Sequence, residues 1–78
     1  MANSALYQQL VKVVGEYIGE DKAAGAIGRQ LKHCASTPET FKKEDLGKIL
    51  GQVVTVSTLY LSDDTAKTTL TNLIKGMA

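Results

Sequence analysis

The chain of 78 residues carries nine lysines and arginines against eight acids, for a formal charge of +1, with 44% hydrophobic and 22% charged residues. That balance is typical of one globular domain spanning residues 1–78, and it excludes the wholesale attraction to nucleic acid or anionic lipid that a strongly basic protein shows. One cysteine, Cys34, excludes an internal disulfide and a cysteine-rich zinc site, and no apolar run approaches the roughly 20 residues that cross a bilayer. The opening residues, MANSA, have neither the basic start nor the apolar run of a signal peptide, so no membrane association and a cytoplasmic location are expected.

Taken in chain order, Leu6, Leu10, Val13, Val14 and Tyr17 recur at intervals of three and four, which predicts a helix over residues 4–18. Gly19-Glu20-Asp21 then reads as a stop and a restart. Glycine accepts the left-handed conformation that ends a helix, and acids favour the positive end of the next. A second helix is expected over residues 21–34, with Ala23, Ile27, Leu31 and Cys34 inward. It contains Gly25 and Gly28, and a glycine inside a helix costs about 1 kcal/mol relative to alanine. Two accounts stand: close approach of another helix within the fold, or a flat face that receives a helix from a partner or a second copy.

Arg29, Lys32 and His33 stand at i, i+3 and i+4 and share a helix face, with Lys42 and Lys43 following shortly. They form a modest basic patch. No aromatic residue interleaves with it, so it offers no stacking platform for single-stranded nucleic acid. His33 and Cys34 invite a nucleophile-base reading, but adjacent helical side chains point about 100° apart and do not share the activating hydrogen bond. Cys34 reads better as a small buried apolar residue. One histidine and one cysteine do not make a zinc or di-iron site, and Gly25 with Gly28 lacks the glycine spacing of a nucleotide loop. No catalytic residue, cofactor or metal ligand is therefore expected.

Residues 35–45 form a linker in which Thr37 suits an N-cap, Pro38 a first helical position and Glu39 a first turn. Two outcomes remain open: a short helix over residues 38–43 restarted by Glu44 and Asp45, or one continuous third helix reaching Leu61. The stretch VVTVSTLYL, residues 53–61, alternates like a strand. Helix is preferred, because Leu46, Ile49, Leu50, Val53, Ser57 and Tyr60 continue a helical stripe and a strand would lack a pairing partner. A fourth helix capped by Ser62 should turn Ala66, Leu70, Leu73, Ile74 and Met77 inward.

Laying residues 5–32 over residues 48–75 pairs Gln9 with Gln52, Val11 with Val54, Val13 with Val56, Tyr17 with Tyr60, Asp21 with Asp64, Ala23 with Ala66 and Lys32 with Lys75. Apolar positions such as Leu10 and Ile27 fall on Val53 and Leu70. The expected fold is all-α: a compact four-helix domain, five-helix if the linker adds one, built from two antiparallel hairpins related by a pseudo-twofold axis. Both YIGEDKA and YLSDDTA read as tight helix-helix turns.

Ile18, Gly19, Ala23, Arg29, Ala35, Thr37 and Glu39 fall in a pattern that resembles short helical segments in the non-catalytic parts of bacterial signalling proteins. Glu20 stands where such segments often carry proline. The resemblance implies a docking or regulatory module without an active site, and no residue roles transfer with it. The functional expectation is a non-enzymatic interaction module that binds a protein partner or itself through helix packing. Gly25, Gly28, Arg29 and Lys32 are the first candidate surface. The alternative is weak binding of nucleic acid or another anion by Arg29, Lys32, His33, Lys42 and Lys43.

Overall fold

The Tyr7 N–H donates to Ser4 Oγ at 3.1 Å, and this cap starts α1 (Ala5–Ile18) in the computed structural model, which describes residues 3–78. Met1 and Ala2, part of the opening segment read above, lie outside the described residues. Tyr7, Leu10 and Val14 are the buried residues of α1, while Leu6, Val13 and Tyr17 are half-buried.

One residue, Gly19, separates α1 from α2 (Glu20–Leu31). Its φ of 96° lies where side chains other than glycine are strained, and its N–H donates to the Gly15 carbonyl at 2.8 Å. So sharp a reversal brings the start of α2 onto the end of α1. A Cβ at Gly15 would stand 2.9 Å from Glu20 Cγ and 3.1 Å from its Cα, so any larger residue would have to push the start of α2 away. Along α2, Ala23, Ala26, Ile27 and Leu31 are buried.

The α-helical part of this segment stops at Leu31 and tightens into a 3₁₀ turn, Lys32–Cys34, rather than continuing to Cys34. Ala35 adopts a left-handed conformation, with φ 53°, and the Ser36 N–H returns to the Leu31 carbonyl at 3.1 Å. That closure satisfies a terminal carbonyl and ends the helix.

Neither linker outcome holds in full. Residues 37–40 make a single turn in which the Thr40 N–H donates to the Thr37 carbonyl at 3.1 Å, and no helix spans residues 38–43. Phe41 then plugs the core, almost fully buried and edge-on to Tyr7 with ring centroids 6.4 Å apart. The Ser4 N–H donates to the Pro38 carbonyl at 2.8 Å and ties the linker to the start of α1.

The third helix, α3 (Lys43–Thr58), absorbs most of the β-branched run. Leu46, Ile49, Val53 and Ser57 are buried on one face, and burial outweighs the strand propensity of the valines and threonines. Thr58 Oγ1 donates back to the Val54 carbonyl at 2.8 Å, and α3 ends there rather than at Leu61. Tyr60, expected inward, is half exposed as a result.

Residues 59–63 form a longer turn, so only the first of the two connections is tight. Asp63, not Ser62, caps α4 (Asp64–Met77), its carboxylate accepting from the Ala66 N–H at 3.0 Å. A carboxylate adds charge to the capping bond at the positive end of the helix, which a hydroxyl does not. Leu70 and Ile74 are buried, but Leu73, placed inward by its spacing, is 45% exposed.

Each helix packs on its neighbour in sequence, and α4 also packs on α1, giving an antiparallel all-α domain of 35 × 22 × 18 Å. Buried residues recur at the 43-residue shift: Leu10 with Val53, Ile27 with Leu70, Leu31 with Ile74 and Val14 with Ser57. The last pair is unequal, since Ser57 Oγ is buried without a hydrogen-bond partner.

Gly15→Ala should lower stability by about 1–2 kcal/mol, because overpacking against the Glu20 backbone exceeds the gain in helix propensity. Gly25→Ala, which meets open space, should raise it by about 0.5–1 kcal/mol. Urea denaturation of the two variants checks the opposite signs; a shared sign would contradict the close approach.

Candidate functional site

The candidate surface begins on the outer side of α2. Gly25 is exposed and Gly28 half-buried, and a Cβ built on either meets no atom within 4 Å. Close approach of a helix inside the fold is therefore not the reason for these glycines. The position that needs one is Gly15, which the sequence did not single out because its contact is made across the turn. On α3, Gly47 and Gly51 stand four residues apart, are exposed and likewise face open space. An open groove of about 460 Å³ lies between α2 and α3, lined by Gln30, Gly51, Gln52, Thr55 and Val56.

The basic residues gather at one end of the molecule. Arg29, Lys32 and His33 are exposed where α2 runs out, and the 3₁₀ turn packs on α3, which Lys42 and Lys43 begin. Asp45 builds this junction: nearly buried, its Oδ2 accepts from Ser36 Oγ at 2.9 Å and from the Lys42 N–H at 3.2 Å. One carboxylate oxygen thus fastens the linker to the first turn of α3. Lys42 reaches Glu44 at 3.8 Å, with both side chains well exposed, so the pair contributes little to stability.

At the other end of the molecule, Leu59 is 74% and Tyr60 51% exposed, and Lys22 Nζ stands 5.5 Å from the centre of the Tyr60 ring. This contact brings the start of α2 to the end of α3. The helical stripe in the sequence pointed Tyr60 inward, and only the early end of α3 releases it.

Cys34 is half-buried and its Sγ donates to the Leu31 carbonyl at 3.4 Å, a local contact within the helix end that leaves His33 outside. Among the described residues, no group of three or more His, Cys, Asp or Glu is placed to hold a metal ion, and no helix is long and apolar enough to cross a membrane.

Compared with protein-family models, with curated proteins and with solved structures, the chain matches none of them. The functional reading therefore rests on its own residues.

Asp45→Ala removes the acceptor for both Ser36 and Lys42 and should cost about 1–3 kcal/mol, the range for a charged hydrogen-bonding group. Thermal denaturation followed by circular dichroism checks this. A melting temperature within a degree or two of the wild type would mean that Phe41 and the Ser4–Pro38 hydrogen bond hold the linker without Asp45.

Proposed function

We propose that this chain is a non-enzymatic interaction module that associates with a second copy of itself by packing a helix on the outer face of α2. The observation that carries the reading is the open space at Gly25 and Gly28. Each glycine weakens an exposed helix by about 1 kcal/mol, and the fold returns nothing for it. A second helix laid along this face recovers that cost through backbone approach that a side chain would block.

Size points the same way. A chain of 78 residues buries only about 60% of the surface its unfolded form exposes, so association adds apolar burial that the single copy lacks. Arg29 and Lys32 border the glycine face as a polar rim.

Light scattering over a concentration series at high salt tests this reading, because a mainly apolar contact keeps its strength when charges are screened. The wild type should gain mass with concentration, and Gly28→Leu should weaken that gain while remaining a folded helical monomer. Undiminished assembly in the Leu variant would exclude this face.

A further inference from the structure

We infer that copies of this chain also join end to end, the acidic end of one docking on the basic end of the next. The charges sort by end. Where α1 and α3 finish and α2 and α4 begin stand Glu16, Glu20, Asp21, Asp63 and Asp64, against Lys22 and Lys67. At the opposite end stand Arg29, Lys32, Lys42, Lys43, Lys48 and Lys75, against Glu39, Glu44 and Asp45. Lys12, at the middle of α1, belongs to neither end and makes the total +1; the other charges leave an excess of three of opposite sign at each end, which the near-zero total conceals.

Helix polarity explains part of this sorting. Acids in the first turns of α2 and α4, and Arg29 and Lys75 in their last turns, each meet the favourable pole of their own helix. Lys42 at the N-cap of α3 and Lys43 and Lys48 in its first two turns do not; nor does Glu16 in the last turn of α1. These four follow the end of the molecule against the preference of their helix. They are also largely unspent: Lys42–Glu44 is the only ion pair among the described residues.

The helices that separate the two ends are 12 to 16 residues long, roughly 18–24 Å at a rise of about 1.5 Å per residue, well beyond the ~8 Å screening length at physiological ionic strength, so the ends do not neutralise each other. A second copy brings them into contact. A polyanion is the poorer occupant of the basic end, since a net charge of +1 gives it little long-range attraction and the acidic end repels it. A second copy satisfies both ends at once, and Leu59, among the described residues the most exposed large apolar side chain, supplies the centre of the contact from the acidic side. Such a contact is head-to-tail, so it extends into chains unless its rotation closes a ring. The 22 × 18 Å cross-section limits it to roughly 400 Å² per copy, half of a standard interface, so the association is weak.

This contact is separate from the α2 face of the proposed function, and salt distinguishes them. Sedimentation equilibrium at about 20 mM and about 0.5 M sodium chloride reads the end contact as the association present only at low salt. Two double variants avoid the capping residues: Glu16→Lys with Asp21→Lys, and Lys43→Glu with Lys48→Glu. Each alone should lose the low-salt association by about tenfold or more, and an equimolar mixture should regain it because each variant keeps one native end. Helical circular dichroism confirms that both remain folded. A wild type that shows no extra association at low salt overturns the proposal, as do variants that associate like the wild type or a mixture that does not recover. Salt-resistant association lost in Gly28→Leu survives every one of those failures, so the two contacts stand or fall separately.

Discussion

The backbone of Glu20 lies against Gly15, and the rest of the fold follows from that approach. A one-residue connection at Gly19 leaves no slack, so α2 must lie on α1 from its first turn. The pair then presents Leu10, Val14, Ile27 and Leu31 as a continuous apolar surface, which α3 and α4 cover with Val53, Leu70 and Ile74. The second hairpin turns more loosely through residues 59–63, and its looseness puts Leu59 and Tyr60 into solvent. Asp45 and Phe41 join the halves at the other end, one by hydrogen bonds and the other by filling the core beside Tyr7.

The helical periodicity of the sequence was enough to place four helices, because an apolar residue every three or four positions has few other uses. Cap positions were less legible. Ser62 and Asp63 are both good caps, and only the hydrogen bond to Ala66 decides between them. Leu73 and Tyr60 sit at the edges of their apolar stripes, where one residue of rotation or an early helix end separates core from solvent. Phe41 was hidden in a polar linker with no periodicity to reveal it. Ser57 lay on the predicted stripe and is fully buried, although its hydroxyl finds no partner where Val14 occupies the corresponding place in the first hairpin.

The glycines show where sequence alone runs out. Gly15, Gly25 and Gly28 are equivalent letters inside helices, yet one lies against backbone and two face open space. The contrast turns the α2 face from a packing surface of the fold into a surface available to another molecule. Charge sorting was equally hidden, because acids and bases alternate along the chain in short groups and separate only when four antiparallel helices fold them to opposite ends.

If the outer face of α2 meets another copy in solution, its backbone environment must change with concentration. Amide chemical shifts recorded over a dilution series at high salt test it residue by residue. Gly25, Gly28 and their neighbours on α2 should move with concentration, while Gly15, covered by Glu20 within the fold, should stay fixed. Shifts that are independent of concentration along α2, or that move only on the opposite side of the molecule, would contradict it.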